Sequence, residues 1–318
     1  MKKFLLISLV ITSFCLSASA QTARRMQKET HLYSVRGADS LYLDRYSFAD
    51  MPANTPCVVF MFGGGFVGGN RDGEGYIPYF QQLVNNGYTV ISIDYRLGLR
   101  DIVAQRDVNV ERFAGALANA VYIAVEDLFD ATNYILSHAS QWSVDPNTIV
   151  INGSSAGAVA VLQAEYEICN QSALARNLPA GFRYAGVISF AGAILALTPE
   201  LTVSLTPAPI MLFHGDADNQ VPYDKLTYED YGFYGSRPIA AKLTEAGVPH
   251  YYYTAYNGGH ELAGTPMKNN VGEIITFLHK WAKEKQPLIM DAVVKVADDN
   301  RNVKKDFTIA DFIQSRIR

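Results

Sequence analysis

The sequence predicts an α/β fold: a mostly parallel central sheet with helices on both faces and a leading antiparallel hairpin. Three observations carry this. From about residue 56 onward, short strand patterns alternate with helix patterns, as crossover connections require. Strand runs such as Cys57-Val58-Val59-Phe60-Met61 are apolar along their whole length, which suits strands covered on both faces. No internal repeat or low-complexity linker interrupts the chain, so one large domain is expected.

Taken in order, residues 31–36 and 41–46 read as two antiparallel strands joined through Gly37-Ala38-Asp39. Core strands are predicted at 57–62, 88–94, 148–152, 186–190, 209–213 and 250–255. The crossover helices fall at 76–86, 121–138, 155–169, 237–245 and 269–283. The stretch 98–120 is longer than a simple connection needs. It carries Arg100, Asp101, Arg106, Asp107, Glu111 and Arg112 before turning Ala-rich, and fits either a lid or pocket wall or a solvated excursion with a short helix. After Pro287 the chain is apolar over 288–296 and charged over 297–306, and 307–318 has the pattern of a short amphipathic helix. This tail, 287–318, is expected to dock back on the domain.

Chemistry concentrates at four strand ends. Gly153-Ser154-Ser155-Ala156-Gly157 follows the strand Thr148-Ile149-Val150-Ile151-Asn152 and opens a helix of small residues. A serine at the tip of such a turn is held in a strained conformation, with its hydroxyl exposed and a helix N-terminus beneath the developing negative charge. The frame selects Ser155, because moving it to Ser154 puts Asn152 where the tight turn wants glycine. A nucleophilic serine needs a base, and the base needs an orienting carboxylate. Strand Pro209-Ile210-Met211-Leu212-Phe213 runs into His214-Gly215-Asp216-Ala217-Asp218, and strand Tyr251-Tyr252-Tyr253-Thr254-Ala255 runs toward Asn257-Gly258-Gly259-His260. Phe62-Gly63-Gly64-Gly65-Phe66 lets backbone N–H groups converge on one spot. It does not read as a phosphate cradle, since no Lys-Ser/Thr follows.

Together these motifs resemble the α/β-hydrolases of the carboxylesterase kind, over about residues 32–284. The resemblance implies Ser155 as nucleophile, His260 as base and Asp218 as acid. Asp216 is the rival acid and fits the His-Gly-x-x-Asp-x-x-Val-Pro stretch less well; His214 reads as structural. The resemblance also implies an oxyanion hole from the N–H groups of Gly64, Gly65 and Ala156, with no metal or organic cofactor. Phe62 departs from the family, which usually has a loop-bracing histidine there. In the family-like Asp94-Tyr95-Arg96-Leu97, Arg96 reads as a structural tie. The implied activity is hydrolysis of acyl, acetyl or feruloyl-type esters, polysaccharide-linked ones included, through an acyl-enzyme. Two other readings stay open: a serine peptidase of the same fold, which the triple-glycine loop suits less well, and an inactive binding protein on a hydrolase scaffold, which Phe62 alone favours.

Met1-Lys2-Lys3, an apolar run over 4–16 and Ser17-Ala18-Ser19-Ala20 read as a signal peptide cut after Ala20, so the protein is expected to be secreted or periplasmic. A lipoprotein anchor at Cys15 is disfavoured by bulky Phe14 before it. Cleavage leaves 298 of 318 residues, read as a catalytic domain over 21–286 plus the tail. Loss of two lysines moves the formal net charge from −4 to −6, which argues against nucleic acid or an anionic membrane as partner. Cys57 and Cys169 read as free core thiols. The aromatics Tyr223, Tyr228, Tyr231, Phe233 and Tyr234 fit either a substrate platform or loop packing, with packing favoured.

Overall fold

In the computed structural model, Gly37 and Ala38 turn the chain between β1 (Gln27–Arg36) and β2 (Asp39–Ser47), with Gly37 at φ 63°, a conformation only glycine adopts cheaply. The structure describes residues 24–105, 108–198, 200–228, 231–309 and 311. The predicted signal peptide, Cys15, Arg106, Asp107 and most of the predicted 307–318 helix lie outside them.

The strands that follow are β3 (Thr55–Met61), β4 (Thr89–Ile93), β5 (Val144–Ser154), β6 (Gly186–Phe190), β7 (Ile194–Ala196), β8 (Ile210–Gly215), β9 (Lys225–Tyr228), β10 (Tyr231–Tyr234), β11 (His250–Ala255) and β12 (Ile289–Val294). Nine of the twelve described strands form one sheet in the order β1-β2-β4-β3-β5-β6-β8-β11-β12. Only β2 runs against the others. The predicted class, a mostly parallel sheet led by a hairpin, is therefore the observed one. The central strands read as unbroken apolar runs because both faces are covered: Val58, Val59, Phe60 and Met61 are fully buried, as are Met211, Leu212 and Phe213.

The helices are α1 (Ile77–Asn85), α2 (Arg100–Val103), α3 (Val110–His138), α4 (Ala156–Cys169), α5 (Ser236–Glu245), α6 (Pro266–Asn269) and α7 (Val271–Phe277), the last continuing into a π turn over Leu278–Lys283. α1 and α7 pack together on one face of the sheet; α3 and α4 pack together on the other, and Leu162 of α4 lines an apolar pocket with Ile239 and Leu243 of α5. Leu83, Val84 and Phe80 of α1 are fully buried, each contributing about 1.5–3 kcal/mol of transfer free energy.

Three features depart from the sequence reading. α3 starts at Val110 rather than residue 121, with Asn109 as its N-cap, accepting from the Arg112 N–H at 2.8 Å. Residues 98–120 are thus a short helix followed by the first turns of a long one. A second, three-stranded sheet, β7-β10-β9, is antiparallel and was not expected. Within the tail, β12 adds a parallel edge strand beside β11. Cys57 and Cys169 are buried free thiols.

Candidate active site

β5 ends at Ser154 and α4 begins at Ala156, so the whole strand-to-helix reversal falls on Ser155. Its backbone sits at φ 51°, ψ −115°, outside the regions a residue with a Cβ occupies comfortably. Both flanking glycines are required. A Cβ on Gly153 would lie 2.2 Å from the Gly157 carbonyl oxygen, and one on Gly157 would lie 2.2 Å from that of Met61. The surroundings hold the strain in place: the Ser155 N–H donates to the Phe190 carbonyl at 2.8 Å. Ser154, the rejected frame, donates its hydroxyl to the Ala263 carbonyl at 2.8 Å and so anchors the 3-10 turn His260–Ala263.

The three distant predicted residues meet in series. Ser155 Oγ is 2.8 Å from His260 Nε2, and His260 Nδ1 is 2.8 Å from Asp218 Oδ2. An ionised carboxylate only accepts, so Nδ1 carries the proton and Nε2 faces the hydroxyl as an acceptor. The relay is shielded but reachable: Ser155 is 8% exposed.

Asp218 lies at the centre of a donor cluster. Oδ1 accepts the backbone N–H groups of Gln220 (2.8 Å) and Val221 (3.0 Å). Oδ2 accepts from His260 and lies 3.3 Å from His214 Nε2. His214 is fully buried; its Nδ1 pairs with Ser236 Oγ at 2.8 Å and its Nε2 approaches the Val221 carbonyl at 3.3 Å. It thus supports the acid loop from behind, a structural part that also touches the acid. Burial alone would push the Asp218 carboxyl up, but hydrogen bonds and charge from His214 and His260 outweigh it and hold the group well below the usual carboxylate range. A folded-state value below the unfolded one adds stability above about pH 4, and that stability is lost as pH falls through the folded value. The urea midpoint of the wild type is therefore expected to exceed that of Asp218→Asn most near neutrality, and the two to converge in strong acid. An equal gap at both ends would contradict this.

The rival acid is committed elsewhere. Asp216 Oδ1 accepts the Asn257 N–H at 2.7 Å and Oδ2 accepts from Lys305 Nζ at 2.7 Å. The acid and base loops are also joined directly, by Ala217 N–H to Gly258 O (2.9 Å) and Asp216 N–H to Ala255 O (3.1 Å).

The glycine loop after β3 lies against Ser155, since a Cβ on Gly63 would sit 3.2 Å from Ser155 Cβ. Gly64 (φ 136°) and Gly65 (φ 64°) hold left-handed conformations. The Gly63 N–H is taken by Tyr76 Oη at 3.3 Å, whereas those of Gly64 and Gly65 make no hydrogen bond to any described residue. Ala156 is the first residue of α4, where backbone N–H groups lack intrahelical acceptors. Phe62, the departure from the family, is 2% exposed and stacks on Tyr95 with ring centroids 4.5 Å apart. Tyr95 Oη then donates to the Phe62 carbonyl at 2.7 Å. An aromatic stack and a hydroxyl thus brace the loop. The sequence placed Tyr95 in a flagged segment but singled out only its neighbour Arg96, which ties Asp127 and Glu126 of α3 to the loop after β4.

The aromatic segment divides. Tyr223 Oη is bonded to Thr254 Oγ1 (2.9 Å) and to Tyr252 Oη (2.5 Å). Tyr228, Tyr231 and Phe233 line an apolar pocket with Phe113, Leu117 and Leu195. Among the described residues, no cluster of His, Cys, Asp and Glu could hold a metal ion, and no helix is long and apolar enough to cross a membrane.

The architecture has known counterparts. A thermophilic esterase of Thermogutta terrifontis matches over 86% of this chain and 95% of that one, with a TM-score of 0.59 at 20% identity. The chain has the α/β-hydrolase fold. The BD-FAE family model matches residues 43–194 of this chain, a span holding the glycine loop and the Ser155 turn. Among curated proteins it is similar to the fumonisin B1 esterase of Sphingopyxis macrogoltabida, 29% identical over 126 residues. It is likewise similar to the acetylcholinesterase of Gallus gallus, 28% identical over 123 residues. Each match takes in 39% of this chain but only 22% and 15% of those longer proteins.

Proposed function

We propose that this α/β-hydrolase is an exported serine carboxylesterase acting on acyl, acetyl or feruloyl-type esters, polysaccharide-linked ones among them. The observation that carries the reading is the hydrogen-bonded series Ser155 Oγ, His260 and Asp218, each link 2.8 Å long. His260 Nε2 takes the Ser155 proton as Oγ attacks the ester carbonyl, and Asp218 stabilises the imidazolium that forms. The N–H groups of Gly64, Gly65 and Ala156 receive the charge on the carbonyl oxygen; their fixed positions cost no reorganisation as the charge develops. His260 returns its proton to the departing alcohol. Water, deprotonated by the same Nε2, then releases the acid and restores Ser155.

The named esterases among the relatives support the ester reading, as does the glycine loop, whose Gly64 and Gly65 N–H groups make no hydrogen bond to any described residue. Export rests on the signal-like N-terminus. The stacking of Phe62 on Tyr95 and the Tyr95 hydroxyl on its carbonyl support an ordered glycine loop without the usual histidine, which favours the active reading over an inactive scaffold. Turnover of short-chain p-nitrophenyl esters and of aminoacyl p-nitroanilides separates this reading from a peptidase. Ester kcat/KM is expected to exceed the amide value by at least about 100-fold. Preference for the amide would reject the esterase reading.

A further inference from the structure

The last described stretch of the chain lies outside the span matched by the family model, yet it reaches both catalytic loops. β12 is tied to the start of the base loop, where the Tyr256 N–H donates to the Val294 carbonyl at 2.9 Å. Beyond β12 the chain folds back over that loop as a strap. Asn257, three residues before His260, is 4% exposed and holds φ 55°. Strap groups surround it. Its Nδ2 donates to the Arg301 carbonyl (3.1 Å) and to Asp299 Oδ2 (3.3 Å), and its own carbonyl accepts from Arg301 Nη2 (3.3 Å). Arg301 is in turn fixed by Asp299, through Nε to Oδ1 and Nη2 to Oδ2, each 2.8 Å.

Lys305 completes the arrangement. Its ammonium lies 3.6 Å from the centre of the Tyr256 ring and donates to Asp216 Oδ2 at 2.7 Å. The other oxygen of that carboxylate holds the Asn257 N–H. Asp216 is therefore a node joining three segments: the acid loop two residues before Asp218, the base loop, and the strap. Farther on, Ile309 lines the apolar pocket beside Phe113 and Leu117 of α3.

We infer that the C-terminal strap, through Lys305 and the Asp299–Arg301 pair, positions the acid and base loops so that Asp218, His260 and Ser155 stay in line. This rests on the catalytic reading of those three residues. The Lys305–Asp216 pair is partly exposed, so its contribution to stability is small. Catalysis is far more sensitive to position than folding is: a displacement of about 1 Å costs on the order of 100-fold in rate. Lys305 is thus a positioning residue whose loss separates rate from stability.

The test uses the full chain with Lys305→Met and Lys305→Arg. Three readouts are taken: kcat and KM on p-nitrophenyl acetate, Tm, and the low-field proton NMR resonance of the His260–Asp218 hydrogen bond. Lys305→Met is expected to lower kcat by about 10-fold with KM within about 2-fold. Tm stays nearly unchanged, the low-field resonance broadens or disappears, and Lys305→Arg restores both kcat and resonance. Wild-type kcat with an unaltered resonance in Lys305→Met overturns the inference; so does a kcat loss that only tracks loss of folded protein while the folded remainder keeps its resonance. If the wild type hydrolyses no ester, the esterase reading fails, and the resonance alone decides for or against the strap.

Discussion

Ser155→Ala is expected to lower ester kcat by about 10⁴- to 10⁶-fold while leaving the protein folded. Only Oγ is lost. The remaining methyl keeps the packing of a residue already 8% exposed, and alanine meets the same φ of 51° that serine does. With no hydroxyl, His260 has nothing to deprotonate for attack, and residual turnover comes only from water held near the glycine-loop donors. The thermal midpoint is expected to hold or rise, since strained functional positions are maintained at a cost to stability. Kinetics on p-nitrophenyl acetate with a parallel melting curve checks both. A variant within about 10-fold of wild-type kcat would remove Ser155 from the mechanism.

Asp218→Asn is expected to cost about 10⁴-fold in kcat with a smaller change in KM. The surroundings dictate how the amide sits. Gln220 and Val221 present two backbone N–H groups to the position of Oδ1, so the amide oxygen is drawn there. The NH₂ then faces His260 Nδ1, which must accept. That reverses the imidazole tautomer, puts a proton on Nε2 and leaves Ser155 without a base. Wild-type kcat in the pure variant would mean that the 2.8 Å contact between Asp218 and His260 has no part in catalysis.

Much of this was legible because buried parallel strands write themselves as apolar runs, and the groups at their ends need glycine where backbones collide. Gly153 and Gly157 are the clearest case, each a position where a Cβ meets a carbonyl at 2.2 Å. Ser155, His260 and Asp218 each end or follow such a run, so their meeting could be anticipated from three separate turns. What was not legible depends on contacts between distant segments. The first turns of α3 carry Glu111 and Arg112 on a partly exposed face and look like a loop until Phe113 and Leu117 find the small sheet. That sheet is built from three- and four-residue strands, too short for periodicity to register. β12 is apolar, but Ile289, Met290, Val293 and Val294 stay exposed at the sheet edge, so its pairing with β11 leaves no pattern of burial in the sequence. Asp216 looked like a rival to Asp218 until Asn257 and Lys305, 41 and 89 residues away, took its two oxygens.

Whether Ser155 is an activated nucleophile is read out by active-site labelling. A fluorophosphonate probe is expected to modify the wild type once per chain, with the adduct mapped by mass spectrometry to the peptide containing Gly153-Ser154-Ser155-Ala156-Gly157, and to leave Ser155→Ala unlabelled. Equal labelling of the two proteins, or an adduct on any residue other than Ser155, would contradict the account.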